Sequence, residues 1–547
     1  MTAALWLSGT PAWGAEAIAT RVHQVLEQRK LGADALKIID NVLRHEGPPP
    51  PAAPALVREL LQSPLAGIDA AVLFERAVPL SVRQLTLAAV GPPGVPADER
   101  PVAIEDLLAP YVEELTAAQR LLRTAATSRI DAAGIVKALN RPSPPSDALR
   151  SVMRATDAAM LARANALFAA ATARFVAALR AAHGTVQFPA AAVHLESALG
   201  AVVIGSRGDD SYPAGAALII DPGGNDRYTR TEITGGAVSV IIDLAGNDRY
   251  QGSDMVVHGL SAIVDFAGDD RYAAAGAGQG AAVAGAAVIL DVAGDDVYEA
   301  GAFAQGAAAF GLGALIDLAG NDRYRLHAGG QGYGLAGGVG LLWDHSGDDS
   351  YTAGGWPDAF ARGGGISAAQ GAAYGVRTGV GGGIGILRDD AGDDRYSAEM
   401  FAQGMGYYYG IGLLWDRGGN DQYHAMRYAQ GSGVHQALGV LRDESGNDSY
   451  ALTMGVGQGM GLDLAVGILY DGAGDDQYRG ETLVQGAATA NGLGLVVDNG
   501  GADRWQAGDA ANWGDAQWDR GMPSLAQLPQ LSTRERVCMA LLRAGNV

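Results

Sequence analysis

The chain has 547 residues, enough for roughly two to four ordinary domains, and a formal net charge of −21 from 60 acidic and 39 basic residues. A charge of this sign disfavours nucleic acid and anionic membrane surfaces as partners, and it favours cations. The single cysteine, Cys538, excludes an intrachain disulfide. No apolar run reaches the roughly 18 residues of a membrane-spanning helix, so no transmembrane segment is expected.

Residues 1–15 resemble the apolar core and small-residue cleavage site of a signal peptide, although no basic residue precedes them. We interpret them as an export signal whose true start lies upstream, with cleavage near Ala15. The alternative is an ordinary apolar N-terminus. The export interpretation predicts a periplasmic or extracellular protein.

Residues 16–190 are predicted to form an α-helical domain, because apolar residues recur at helical spacing between proline-rich breaks. The predicted helices are 16–44, 55–62, 67–75, 80–89, 103–139 and an alanine-rich helix at about 147–183. We expect this bundle to cap the next domain or to dock a partner.

Residues 195–508 repeat the motif Asp-x-x-Gly-Asx-Asp-x-Tyr, where Asx is Asn or Asp, after a short apolar run. Apart from one long coil and a degenerate first copy of the motif, the motif tyrosines recur every 22–28 residues, a period typical of β-solenoids. The sequence therefore predicts an α+β multidomain chain, with the N-terminal helical domain followed by a parallel β-solenoid (β-helix) of about a dozen 22–28-residue coils. Residues 509–547 are predicted to form a C-terminal cap with a short helix.

Stacking these coils places the first Asp of each motif in one row and the last Asp in another. Two carboxylates about 4.8 Å apart repel by about 3 kcal/mol at an effective dielectric of about 20, so the rows need neutralisation. Arginine follows the last Asp in only some copies, whereas calcium, which takes six to eight oxygen ligands, could serve every coil. The predicted metal ligands are Asp221, Asp226, Asp243, Asp248, Asp265, Asp270, Asp291, Asp296, Asp317, Asp322, Asp344, Asp349, Asp389, Asp394, Asp416, Asp421, Asp443, Asp448, Asp471 and Asp476.

The motif resembles the calcium-binding RTX repeat, Gly-Gly-x-Gly-x-Asp-x-U-x, where U is a large apolar residue. Gly320, Asp322 and Tyr324 fall at the RTX offsets, which implies calcium held between successive turns and usually an extracellular setting. The chain departs from RTX because the leading Gly is Asp, U is Tyr, and the motif occurs once per coil. We therefore expect at most one row of ions along one edge. The alternative is turn chemistry alone, in which Asp and Asn accept backbone N–H bonds, Tyr forms an aromatic ladder and a recurrent Gln forms an amide ladder.

The coil from Tyr351 to Tyr396 spans 45 residues and carries insertions on both sides of Gln370. We expect the two insertions to lie close together, and loops carry function more often than a scaffold does. The candidate ligand- or partner-binding residues are Trp356, Asp358, Arg362, Tyr374 and Arg377, with Tyr333, Tyr407, Tyr408 and Tyr409 of the neighbouring coils. Such an aromatic cluster with Asp and Arg suits a sugar or a partner surface, and the alternative is a tolerated surface loop.

Three functions are compatible with this sequence. The first is an exported, calcium-stabilised solenoid that acts as a structural or binding module. The second is a carbohydrate-active enzyme, a polysaccharide lyase or hydrolase, which rests on fold analogy alone. The third is an accessory subunit of a larger assembly, docked through the helices or the insertions. No catalytic residue is assigned.

Overall fold

A computed structural model describes residues 50, 52–62, 69–90, 101–182, 184–358, 364–377, 379–489, 492–508 and 516–517. The predicted signal peptide, the predicted helix 16–44, Arg362 and almost all of the predicted C-terminal cap lie outside these residues.

Seven helices precede the solenoid in the described part of the chain. They are α1 (Ala55–Gln62), α2 (Ala70–Ala77), α3 (Leu80–Val90), α4 (Ile104–Ala125), α5 (Ala132–Leu139), α6 (Ser146–Arg154) and α7 (Ala158–Ala181). None of them is long and apolar enough to cross a membrane.

Two of the predicted long helices are each interrupted by a new helix start. The segment 103–139 divides before α5, where the Asp131 carboxylate accepts a hydrogen bond from Gly134 N at 3.1 Å. The segment 147–183 divides before α7, where the Asp157 carboxylate accepts from Ala159 N at 3.0 Å and Met160 N at 3.1 Å. An aspartate that satisfies free N–H groups in this way stabilises a helix N-terminus, and hence the break.

The solenoid consists of three sheets, one along each side of the coils. Sheet I has 13 strands: Val193–Ser197, Gly200–Ile204, Leu218–Asp221, Val238–Asp243, Leu260–Asp265, Ala286–Asp291, Leu312–Ile316, Val339–Trp343, Ile384–Arg388, Ile411–Trp415, Leu438–Asp443, Val466–Asp471 and Leu493–Asp498. Sheet II has 15: Ser211–Tyr212, Arg227–Arg230, Arg249–Gly252, Arg271–Ala274, Val297–Ala304, Arg323–Gly330, Ser350–Ala353, Trp356–Pro357, Gly365–Ala369, Arg395–Ser397, Met400–Ala402, Gln422–Ala429, Ser449–Gly457, Gln477–Gly480 and Arg504–Ala507. Sheet III has 11 two-residue strands: Ile233–Thr234, Val256–Val257, Ala282–Val283, Ala308–Ala309, Gly334–Leu335, Ala373–Tyr374, Gly406–Tyr407, Gly433–Val434, Gly461–Leu462, Ala488–Thr489 and Ala516–Gln517. A separate pair joins Val102–Ala103 to Val186–Gln187.

Successive coils pair in parallel and in register, so that Tyr250 lies between Tyr228 and Tyr272. One exception is the antiparallel pair of Val193–Ser197 with Gly200–Ile204, which covers the first edge of sheet I. The other lies in the long coil and is described below. The predicted fold class, a parallel β-solenoid with an N-terminal helical region, is confirmed.

Sheet I is buried on both faces. Its inward side chains, such as Ile241 and Ile263, pack on the motif tyrosines. Its outward side chains, such as Val240 and Ile242, belong to the apolar core that contains the helices. The helical region therefore lies along the flank of the solenoid as a lateral layer, rather than capping an end.

Polar contacts hold the helical layer against several coils. Asn165 Nδ2 donates to Gly285 O at 3.2 Å, and Arg150 Nη2 donates to Gly379 O at 3.2 Å. His258 Nε2 lies 2.9 Å from Leu122 O. These contacts join helices α4, α6 and α7 to coils far apart in the solenoid.

Phe74 of α2 is the aromatic anchor of this layer. Its ring packs edge-on against Trp343 at 5.2 Å and Trp415 at 6.1 Å between centroids. Arg388 Cζ lies 4.7 Å from the Phe74 and Trp343 ring centroids and 4.5 Å from that of Trp415. Asp390 binds the Arg388 guanidinium at 2.7 Å, so this partly buried cation is paired as well as stacked.

Candidate metal centre

The first Asp of each motif forms the turn that follows a sheet I strand. In one coil, Asp317 Oδ1 accepts from Ala319 N at 3.2 Å and Oδ2 accepts from the Tyr298 hydroxyl of the preceding coil at 2.7 Å. The same pair of contacts recurs in the next coil, where Asp344 Oδ2 accepts from Tyr324 at 2.6 Å. Both oxygens of the first Asp therefore have a donor within the fold in these two coils, whereas one oxygen each of Asp291, Asp471 and Asp498 is buried without a partner.

The last Asp of each motif has a donor for only one oxygen. Asp270 Oδ1 accepts from Asp248 N at 2.5 Å, and Asp448 Oδ1 accepts from Asp421 N at 2.7 Å. The other oxygen, Oδ2, is buried without a hydrogen-bond partner in ten successive coils. These residues are Asp226, Asp248, Asp270, Asp296, Asp322, Asp349, Asp394, Asp421, Asp448 and Asp476.

The first and last aspartates come together in repeated clusters of three. The named clusters are Asp210–Asp221–Asp226, Asp226–Asp243–Asp248, Asp248–Asp265–Asp270, Asp270–Asp291–Asp296 and Asp296–Asp317–Asp322, and six further groups of potential metal ligands follow. Within each cluster, one ligand atom from every residue lies within 4.8 Å of the others. Ligand oxygens on opposite sides of a cation are separated by about this distance, so each cluster could hold a metal ion.

Neighbouring clusters share a carboxylate. Asp248 belongs to the cluster with Asp226 and to the cluster with Asp270, and the sharing continues along the row. Each coil therefore adds two carboxylates, first and last, whose combined charge one divalent cation would neutralise.

Burial and mutual repulsion raise the pKa values of these aspartates. Loss of hydration raises the pKa of Asp226 to about 7, and that of Asp322 to about 10, where neighbouring Asp344 adds to the effect. The pKa of Asp349 is raised to about 11 by burial and by the charges of Asp344 and Asp389. Without a counter-cation, part of the row therefore keeps its protons at neutral pH.

The middle Asx row of the motif has a different environment. Asn225 Oδ1 accepts from Asn247 N at 2.9 Å, and Asp269 Oδ1 accepts from Asp295 N at 3.1 Å. These side chains are exposed, and none belongs to the five named clusters. Turn chemistry alone accounts for this row.

The predicted tyrosine ladder is confirmed. Tyr324 and Tyr351 stack at 4.8 Å between ring centroids and within 1° of parallel, and Trp505 ends the column 3.7 Å from Tyr478. Sequence reasoning missed the bond from the hydroxyl of each motif tyrosine up to Tyr450 to the first Asp of the next coil, although the recurrence of Asp and Tyr at fixed positions of the motif was an available signal. Stacking and hydrogen bonding together fix the position of the aspartates.

The predicted glutamine amide ladder is wrong. Gln305 Nε2 donates to Tyr298 O at 3.0 Å and to Arg325 O of the next coil at 3.1 Å, and the other seven glutamines repeat this arrangement. The backbone turns at this corner with a positive φ, 51° at Gln305, which aims each side chain at carbonyl groups. The glutamines therefore join backbones and do not bond to one another.

The described residues of the two insertions lie near one another at Tyr374, as their spacing predicts. Tyr374 stacks on Tyr407 of the next coil at 4.4 Å between ring centroids. Burial raises the pKa of Tyr374, as do neighbouring Tyr407 and Asp358, whereas Arg377 lowers it. Asp358 of the first insertion and Arg377 of the second thus lie beside the same ring.

The other candidate binding residues are placed elsewhere. Trp356 is buried in an antiparallel pairing with Ile366. Tyr333 is buried in the apolar core, and Tyr408 and Tyr409 pack against that core. The structure therefore brings Tyr374, Tyr407, Asp358 and Arg377 together, and a binding role for any of them stays a prediction.

The fold and the site define a parallel β-solenoid protein that carries a buried row of aspartate clusters and a lateral helical layer. No protein-family model, curated protein or solved structure matches this chain.

Proposed function

We propose that this protein is an exported, calcium-stabilised β-solenoid that serves as a structural or binding module. The observation that carries the proposal is the row of ten buried, unpartnered Oδ2 atoms beside other carboxylates. An unpaired buried polar atom costs about 1–3 kcal/mol, and more when it is charged. A cation between successive turns would remove this cost in every coil.

Calcium is the cation that this donor set favours. The five named clusters consist of aspartate alone, and carboxylate oxygens suit hard cations rather than metals that prefer sulfur or imidazole. Magnesium demands octahedral geometry at shorter distances and keeps several waters, which a buried site accommodates poorly. The resemblance to RTX repeats supports the same choice.

The proposal includes export because an exported protein would be exposed to the calcium concentration that these sites need. Extracellular calcium modules bind with dissociation constants of about 10⁻⁴–10⁻³ M, which suits sites that share ligands and repel one another. A periplasmic or extracellular location would supply calcium in this range, and the predicted signal segment supports it.

Thermal unfolding of chelator-treated protein, with and without millimolar calcium, tests the proposal, and equal magnesium serves as the control. In 10 mM calcium, about 10–100 times these dissociation constants, each ion adds about 1.4–2.7 kcal/mol, so several ions should raise the melting temperature by at least about 5 °C. An unchanged melting temperature would show that turn chemistry and protons suffice for the row.

A further inference from the structure

The outer face of sheet II is open to solvent, in contrast to that of sheet I. On this face the residue after the last Asp of the motif is exposed in most coils and half-buried at Val297, Ser350 and Ser449. Pairing in register places Arg227, Arg249 and Arg271 side by side on three successive strands, about 4.8 Å apart. The face thus presents guanidinium groups in a line along the solenoid axis.

Basic residues dominate this face, which we call the arginine face. Its exposed arginines are Arg227, Arg249, Arg271, Arg323, Arg325, Arg395, Arg479 and Arg504. The only acidic residue in the described strands of sheet II is Glu299, which pairs with Arg271 and, at 3.1 Å, with Arg325. Arg227 and Arg249 make no ion pair with any described residue.

Most of the acidic net charge of the chain is buried, and the exposed aspartates nearest this face, such as Asp269 and Asp295, lie in the turns at its edge. The 21 row aspartates from Asp221 to Asp498 are buried, and subtracting their charge from the net charge of −21 leaves the rest of the chain neutral. Protons or cations must neutralise the buried rows, because their carboxylates repel one another. The negative net charge would disfavour anionic partners only if the row aspartates were at the surface.

We propose that the arginine face docks a linear anionic polysaccharide lying along the solenoid axis. A guanidinium binds a carboxylate or sulfate through two parallel N–H bonds, and the strand spacing sets one such group roughly every sugar unit. Proteins that bind single-stranded nucleic acid add aromatic rings on which bases stack. The exposed positions of the sheet II strands from Ser211–Tyr212 to Val297–Ala304 contain no aromatic residue, which favours a polysaccharide.

Binding of full-length protein to dextran sulfate tests this proposal, with uncharged dextran and oligothymidylate as competing probes. The triple substitution Arg227→Gln, Arg249→Gln, Arg271→Gln removes three charges from the face. We expect roughly a tenfold or greater loss of affinity and a salt dependence whose logarithmic slope falls by about two to three. The control triple Arg120→Gln, Arg129→Gln, Arg163→Gln removes the same charge from exposed positions on and beside the helices.

The control triple should retain the affinity of the unsubstituted protein for dextran sulfate, and dextran should not bind. Equal losses in both triples, or no binding of dextran sulfate, would overturn the proposal. Tighter binding of oligothymidylate than of dextran sulfate would also overturn it, in favour of nucleic acid. The proposal does not depend on calcium, so a failure here would leave the metal row untouched.

Discussion

Replacing Asp270 by asparagine should change stability in opposite directions with and without calcium. Asp270 belongs to two named clusters, one with Asp248 and Asp265 and one with Asp291 and Asp296. In Asp270→Asn the remaining oxygen can still accept from Asp248 N, and an NH₂ group replaces the unpartnered Oδ2. The backbone contact therefore survives, and the charge is removed.

The expected magnitudes follow from the cluster geometry. In calcium-free protein, two charges 4.8 Å apart repel by up to about 3 kcal/mol at an effective dielectric of about 20, so Asp270→Asn should stabilise the fold by about 1–3 kcal/mol. In saturating calcium it weakens two sites. In 10 mM calcium, loss of two ions at about 10–100 times their dissociation constants would cost about 3–5 kcal/mol.

Urea unfolding in chelator and in millimolar calcium measures both effects. The matched control is Asp269→Asn, which removes the same charge one residue away from an exposed side chain of the middle row. The control should change stability by less than about 0.5 kcal/mol in either buffer. A change of the same sign in both buffers for Asp270→Asn, or equal effects of the two substitutions, would refute the reasoning.

Three further predictions concern pH and packing. Because the folded-state pKa of Asp226 is raised from 3.8 to about 7, calcium-free protein should lose stability as pH rises from about 4 to about 7, whereas calcium should flatten or reverse this trend in thermal unfolding. Tyr351→Phe removes the hydroxyl that donates to Asp389 at 2.7 Å and should cost about 1.5–3 kcal/mol in urea unfolding, and an unchanged midpoint would argue against the hydrogen-bonded ladder. Phe74→Ala should cost about 3–5 kcal/mol and alter the fluorescence of Trp343, and a loss below about 1 kcal/mol would show that the helical layer does not depend on this anchor.

The solenoid and its acidic rows could be predicted because their signals are local and repeated. The interval between motif tyrosines sets the coil length, and parallel in-register pairing then places every Asp above its counterpart. The last Asp row, the first Asp row and the tyrosine column all follow from this one period.

The lateral packing of the helices could not be predicted from helical periodicity, because it depends on which surfaces meet. A signal was nevertheless present in the solenoid itself. Val238–Asp243 is almost continuously apolar, a pattern typical of strands buried on both faces, so something had to cover the outer side. The breaks at Asp131 and Asp157 were missed because helix propensity outweighed a single capping residue.

The roles of the individual oxygens were also beyond sequence reasoning. From the sequence, metal ligation and turn chemistry were alternatives for the whole motif. In the structure, some oxygens of the motif accept backbone hydrogen bonds and others are free to bind a metal. The middle row and most first-Asp oxygens are satisfied by the fold, whereas last-Asp Oδ2 is left unpaired in ten successive coils. Whether charges are buried or exposed likewise required coordinates, so the net charge gave a misleading impression of the surface.

The number of calcium ions bound per chain, measured by equilibrium dialysis of chelator-stripped protein, is the most direct test of the metal row. The proposal predicts binding that approaches one ion per cluster, for the five named and six further groups, and about two fewer ions in Asp270→Asn. Absence of bound calcium at millimolar free calcium would contradict it. The row aspartates would then be neutralised by protons.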